Sequence, residues 1–483
     1  MERLSGLDAC FFAMETPTMR LHVSAVLVFA PEVPPTPPAR FFERVRLTVE
    51  QRLHLVPPFR RRIVRVPFGL HHPVWVEDPD FDLDYHLRRA SLPAPGGPRE
   101  LSGFVGDVAS RPLDLDRPLW EMYVVEGLES RHCALVAKLH HCLIDGASGA
   151  ETLATFFDLG PEPRAVPSPV APWRPDVVPN EVELVAGALA DMSHQPERAV
   201  TVLRRTVGAV MSLSERNRRL REERDLDPPP APFRAPRSSL NGAISPHRRF
   251  AFLEVPLEDV AAVRLAYGGT VNDVVLAAVA GALRRLLQRR GEDLDDPLVA
   301  LVPMSTRVPG DAGTMGNKVH AMLVSLATTV SDPAERLRTV AEGTRLAKEQ
   351  AVVLSEDLLR QWAQLAVPAL SSRLARLAVN LRLFDRIPPL FNVLVSNVPG
   401  PDVPLWCAGA RLAALYPVGP LADGVGLNVT VVSYAGTLAF GVVGCRDLVP
   451  EVDVLGHFLA DSLGELVKAA ARVVEGDDPG PDD

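Results

Sequence analysis

Between Cys133 and Leu159 the chain changes its hydrophobic period, and two histidines stand at the change. Cys133 to Leu139 is a run of small and branched apolar residues that reads as a buried strand. Ala147 to Leu159 carries apolar residues at helical spacing (Ala150, Leu153, Ala154, Phe157). His140-His141-Cys142-Leu143-Ile144-Asp145-Gly146 joins the two. A strand that hands over to a helix implies an α/β architecture, in which side chains at the carboxyl ends of strands do the chemistry. Neighbouring strand residues point to opposite sides, so one histidine can face a cavity while the other packs or holds the turn.

The same alternation recurs in both halves of the chain. Leu21 to Phe29, Met122 to Glu126, Arg249 to Val255, Leu298 to Met304, Val319 to Leu326 and Phe391 to Asn397 read as strands. Ala39 to His54, Thr270 to Arg290, Ser331 to Val353, Leu358 to Phe384 and Val452 to Val474 read as helices. Thr270 with Asp273 three residues on is a variant capping box, and Gly291 is a good residue to end the helix that follows. At 483 residues the chain is too long for one ordinary core. Its 46 prolines cluster at Pro161 to Pro179 and Asp227 to Pro236, on either side of a helical, arginine-rich stretch, Glu181 to Arg224. The expected organisation is an α/β domain over 1–165, a proline-rich and helical connection over 166–246, a second α/β domain over 247–475 and a disordered acidic tail over 476–483. The cleft between two such domains is where a site is expected.

A net charge of −9 argues against a nucleic-acid partner. Five scattered cysteines without a C-x-x-C pair fit reduced thiols in a cytoplasmic protein, and the first residues lack a signal-peptide pattern. Gly424 to Cys445 carries no charge and is long enough to span a bilayer, but its alternation around Tyr434-Ala435-Gly436-Thr437 reads as a β-hairpin.

His140 and His141 are a poor metal site, because adjacent histidines rarely chelate one ion and no third ligand has suitable spacing. The acidic run Asp78 to Asp84 reads as a solvated loop. A neutral imidazole is a sensible general base for a hydroxyl proton, worth ~10²–10⁴-fold. No G-x-S-x-G elbow, Walker A or dinucleotide fingerprint is present, which argues against the serine hydrolase, phosphoryl-transfer and hydride-transfer readings.

His140-His141-x-x-x-Asp145-Gly146 resembles the signature of the chloramphenicol-acetyltransferase-like superfamily. Further stretches resemble the bacterial wax ester synthase/diacylglycerol acyltransferases in particular: Leu4-Ser5-Gly6-Leu7-Asp8, Pro118-Leu119-Trp120, Asn272-Asp273, Gly316-Asn317 and Ser396-Asn397-Val398-Pro399-Gly400-Pro401. They occur in the family's order and span nearly the whole chain.

The resemblance implies two chloramphenicol-acetyltransferase-like domains with the active site in the cleft between them. It implies one reaction: a long-chain acyl group passes from acyl-CoA to the hydroxyl of a diacylglycerol or long-chain alcohol, giving triacylglycerol or wax ester, without cofactor or metal. By the same resemblance His141 is the base and His140 its companion, and Asn272 stands where an oxyanion donor is assigned. Asp145 holds the loop through an arginine, for which Arg307 is the candidate. Pro118, Leu119, Trp120, Gly146 and Asp273 are implied as substrate-binding positions. Cys142 departs from the family's usual small residue and raises the expectation of a site sensitive to alkylation. Lipid substrates imply peripheral association of a cytoplasmic protein with a membrane or lipid-droplet surface, with the arginine-rich helices as contacts. Two rivals stay open: the same fold with another acceptor or a carrier-bound donor, and a lipid-surface binding protein without turnover.

Overall fold

The computed structural model describes residues 2–31, 38–143, 154–169, 173–192, 215, 217–220, 229–293, 295–305, 319–351, 377, 381 and 385–476. Asp145, Gly146 and Arg307 lie outside these, as do the Ala147 helix as far as 153, most of the arginine-rich stretch after Met192, the Leu358 to Phe384 segment apart from Leu377 and Leu381, and the acidic tail from 477.

Two six-stranded mixed sheets carry the fold. The first runs in the order Trp406–Cys407, Ala410–Val418, His22–Phe29, Cys133–His140, Trp120–Glu126, Leu87–Ser91. The second runs Val319–Ser325, Val299–Ser305, Val393–Val398, Leu427–Tyr434, Thr437–Cys445, Arg248–Pro256. Neighbours in the first sheet are antiparallel except at the Leu87–Ser91 edge, and the second holds a parallel trio at its centre.

The Ala410–Val418 strand lies far beyond the 166–246 connection, yet it pairs with His22–Phe29 inside the first sheet. The split at 166–246 is thus one of sequence, and the first sheet reaches past it for two of its strands. Between the sheets a shared apolar layer includes Val26 and Val136 from one and Phe250, Val432 and Val443 from the other. Because alternate strand residues face this layer, Lys138 and His140 share the side of Val136.

The helix Pro98–Ser110 ties the same region together. Its backbone opens on Gly97, whose N–H donates to Glu100 Oε2 at 2.9 Å, and Gly106 lies so near Arg248 O that an added Cβ would sit at 3.0 Å. The sequence reading names no element there, because glycines at 103 and 106 break an otherwise amphipathic spacing. The capped helix expected from Thr270 is present as Val271–Arg290, closed by Gly291 in the left-handed region (φ 69°). Val274 to Leu283 are buried together, because this helix packs among the second sheet and the helices Pro333–Ala351 and Val452–Glu475.

The uncharged Gly424 to Cys445 stretch holds the expected hairpin, with Tyr434 opposite Thr437. Its two-residue turn has positive φ at both Ala435 (43°) and Gly436 (87°), which matches the twist of paired strands. Among the described residues no single helix is long and apolar enough to cross a membrane.

Candidate active site

The histidine strand ends under tight backbone control. His140 N–H donates to Leu119 O at 3.0 Å, His141 N–H donates to Leu21 O at 2.8 Å, and Leu143 N–H returns to His140 O at 3.0 Å. Both neighbouring strand systems therefore fix where the pair leaves the sheet.

The two imidazoles live differently. His140 is fully buried, and its Nε2 lies 2.8 Å from Glu15 Oε2. Its Nδ1 accepts the Cys142 backbone N–H at 3.1 Å and has Cys142 Sγ at 2.9 Å. An acceptor at Nδ1 leaves the proton on Nε2, so the hydrogen bonds assign the tautomer that donates to Glu15. His141 is half-buried, with its ring 4.5 Å from that of Phe11 at an angle of 32°.

Glu15 and Phe11 come from the opening segment, which forms the helix Gly6–Met14. Ser5 caps it by accepting Asp8 N–H at 3.2 Å, and Ser5 Oγ–H donates back to Asp8 Oδ2 at 2.6 Å. The family-like Leu4 to Asp8 stretch is thus a helix start, and the helix delivers Phe11 to His141, Phe12 edge-on to His140, and Glu15 just past its end.

A third histidine joins from the next strand. His22 is the cross-strand partner of His140, with ring centroids 5.7 Å apart and Nε2 3.4 Å from Glu15 Oε1. At that length the His22 contact is weak, so His140 is the main partner. Burial raises the Glu15 carboxyl, but the imidazoles of His140 and His22 outweigh it and hold the group well below the usual carboxylate range. Burial lowers His22 to about 4, so it is neutral near pH 7.

Lys138, fully buried two residues earlier, donates to Val108 O at 3.2 Å and Arg111 O at 2.9 Å. Its ammonium caps the carbonyl end of the Pro98–Ser110 helix, and burial lowers it to about 8. This is an anchor for the histidine strand.

Pro118, Leu119 and Trp120 are all buried, the last two completely. Trp120 stacks on Phe59 at 4.7 Å and His86 at 4.6 Å, and its Nε1–H donates to Phe59 O at 2.8 Å. Leu119 and Trp120 are fully enclosed by protein in this structure, where the resemblance implies a substrate-binding position for them. They act on the site from beneath, through the Leu119 carbonyl that holds His140.

At the other candidate, Thr270 N–H and Oγ–H both donate to Asp273 Oδ2 at 2.8 Å, and Asp273 N–H returns to Thr270 Oγ at 3.3 Å. Asp273 is buried and serves as the third-position partner of the Thr270 cap in its helix's capping box. Asn272, one residue before, is half-buried and makes no side-chain hydrogen bond among the described residues. Cys142 is buried, and burial raises its thiol well above the ordinary value, so the sensitivity to alkylation expected of it does not fit this environment.

Comparison with known families decides the assignment. The model of the wax ester synthase/diacylglycerol acyltransferase catalytic domain matches residues 4–275, and that of the family's C-terminal domain matches residues 315–467. The chain belongs to this family. A Mycobacterium tuberculosis protein named as a diacylglycerol O-acyltransferase is 37% identical over 477 residues, covering 99% of this chain and 92% of its own. The solved wax ester synthase/diacylglycerol acyltransferase of Marinobacter aquaeolei VT8 aligns with a TM-score of 0.68 at 30% identity, covering 97% of this chain and all of that one. The first condensation domain of the calcium-dependent antibiotic synthetase shares the fold, with a TM-score of 0.55 at 19% identity over 98% of each chain. The protein is an acyltransferase with the two-domain α/β architecture expected from the sequence.

Glu15 and His22 stand beside His140, and the sequence reading did not single them out. His22 was legible only as a residue of the Leu21 to Phe29 strand. Its pairing with His140 is a register fact that appears once the strands are side by side.

Proposed function

We propose that this acyltransferase moves a long-chain acyl group from acyl-CoA to the hydroxyl of a diacylglycerol or a long-chain alcohol, with His141 as general base. The observation that carries the assignment is the division of labour in the pair: His140 is buried and held at both ring nitrogens, while His141 keeps partial exposure at the strand end. His141 takes the proton of the acceptor hydroxyl as its oxygen attacks the thioester carbonyl. The tetrahedral oxyanion meets the Asn272 side chain, aided by the positive end of the Val271–Arg290 helix. Collapse breaks the C–S bond, and the CoA thiolate takes the proton back from His141. The products are ester and CoA, with the proton balanced inside the site and no cofactor required. Asp145 with Arg307 as its partner, and Gly146 as a substrate-binding position, are carried over from the resemblance alone, since all three lie outside the described residues.

The setting is a cytoplasmic protein associated with a membrane or lipid-droplet surface. Supporting this, the helix Glu181–Met192 turns Val182 and Leu189 to solvent at 77% and 59% exposure. The test supplies palmitoyl-CoA with hexadecanol or dipalmitoylglycerol and follows the ester by mass spectrometry. Acceptor-dependent ester supports the reading and ranks the acceptors. Turnover with a carrier-bound acyl donor and none with acyl-CoA would overturn it.

A further inference from the structure

Behind the Glu15 carboxylate lies a small cavity whose wall includes Arg20, His22, Ser24 and Arg248 together with apolar Val418 and Leu421. Arg248 is only 7% exposed. Its guanidinium donates to the carbonyls of Thr18, Ser245 and His247, and among the described residues it forms no ion pair. Arg20 donates to Thr16 O at 3.1 Å, and its Nε is buried without a hydrogen-bond partner. Among the described residues the one carboxylate that Arg20 meets is Glu15 Oε1 at 3.8 Å, and Glu15 is already engaged by His140 and close to His22. Asp423, the acidic group that acts on Arg248 from further off, accepts Thr18 Oγ–H at 3.3 Å.

Two guanidiniums thus line one partly enclosed space, with Glu15 at 3.8 Å from Arg20 but shared with His140, and Asp423 reaching Arg248 only from further off. Buried cations are normally paired, because an uncompensated charge away from water is strongly unfavourable. The neutral His22 imidazole and the apolar wall offer Arg248 no direct ion-pair partner. We propose that the cavity binds a small inorganic anion, of the halide or oxyanion class, between Arg20 and Arg248. Such an ion relieves the repulsion between the two arginines and leaves Glu15 to His140, so it steadies the segment Glu15 to His22 that carries two of the groups around the histidine pair.

The whole protein is melted in sodium chloride and in sodium gluconate at matched ionic strength, with sodium phosphate as a third arm. A saturable rise of about 1–3 °C over gluconate is expected in whichever arm supplies the natural class of anion. Arg20→Gln should fold, as judged by circular dichroism, and lose that increment. Crystals soaked in bromide should show an anomalous peak between the two guanidiniums. Equal melting temperatures in all three salts, or an increment that survives Arg20→Gln, would each overturn the proposal, and so would a water in place of bromide where chloride gives the increment. Should an Arg248 variant fail to fold, the Arg20→Gln comparison still decides.

Discussion

Glu15→Ala removes the acceptor of His140 Nε2–H at a place water does not reach. The lost contact is a buried, charge-assisted hydrogen bond of 2.8 Å, and such bonds contribute ~1.5–3 kcal/mol. The stranded Nε2–H adds a desolvation cost of similar size, so the folded state should lose about 3–6 kcal/mol in all. Catalysis suffers through position. Without Glu15 the His140 ring is free to change tautomer, and a proton on Nδ1 would oppose the Cys142 N–H that now points at it at 3.1 Å. The turn carrying His141 must then shift, and a misplacement of about 1 Å costs ~10²-fold in rate. Steady-state CoA release should show kcat down about 10–100-fold with KM for acyl-CoA little changed. Glu15→Gln keeps an oxygen for His140 Nε2–H and should recover most of the rate. A folded Glu15→Ala enzyme within about twofold of the wild-type kcat would refute the positioning role.

Four other outcomes follow from the same geometry. Trp120→Phe forfeits the bond to Phe59 O and should cost about 1–2 kcal/mol in urea unfolding with unchanged KM; a changed KM at unaltered stability would restore a pocket role. Asp273→Ala should cost about 0.5–2 kcal/mol as a lost cap, whereas Asn272→Ala should lower kcat by ~10²–10³-fold at little cost in stability, and the two effects exchanged would break both assignments. Gly281→Ala places a methyl 2.7 Å from Arg336 Nη2 and nearer still to Ser462 Oγ, so a stability loss of at least about 1–3 kcal/mol is expected from a thermal melt. His22 titrates at about 4 in the fold against 6.5 outside it, so the unfolded chain takes its proton first. Its contribution is complete above about pH 6.5 and is lost as pH falls toward 4; the shift of about 2.5 units corresponds to roughly 3 kcal/mol. Glu15, depressed in the fold, adds a further loss in the same direction below about pH 4.5. His22→Asn should flatten the pH 4–6.5 part of the stability curve, and an unchanged slope would place the titration elsewhere.

Elements whose cause is local were legible in the sequence. The Thr270 cap, the Gly291 stop and the Ala435-Gly436 turn each depend on residues a few positions apart, and each stands where its spacing puts it. The histidine strand was legible because its apolar run is continuous. What escaped depends on distant partners. Ala410–Val418 became a first-sheet strand by pairing with residues nearly four hundred positions upstream, and nothing in its own composition announces that choice. Glu15 was hidden for the same reason: as a lone acid after a short helix it acquires meaning only when His140 and His22 meet beside it. The enclosure of Trp120 was likewise not legible, since its stacking on Phe59 and His86 depends on residues far from it in sequence.

The most direct test of the account compares wild type, His141→Ala and His140→Ala in acceptor-dependent CoA release from palmitoyl-CoA, with unfolding measured in parallel. His141→Ala should keep its stability and lose the reaction by ~10²–10⁴-fold, while His140→Ala should lose stability along with activity. A folded His141→Ala protein that releases CoA at near wild-type rate on addition of hexadecanol or dipalmitoylglycerol would contradict the assignment of the base.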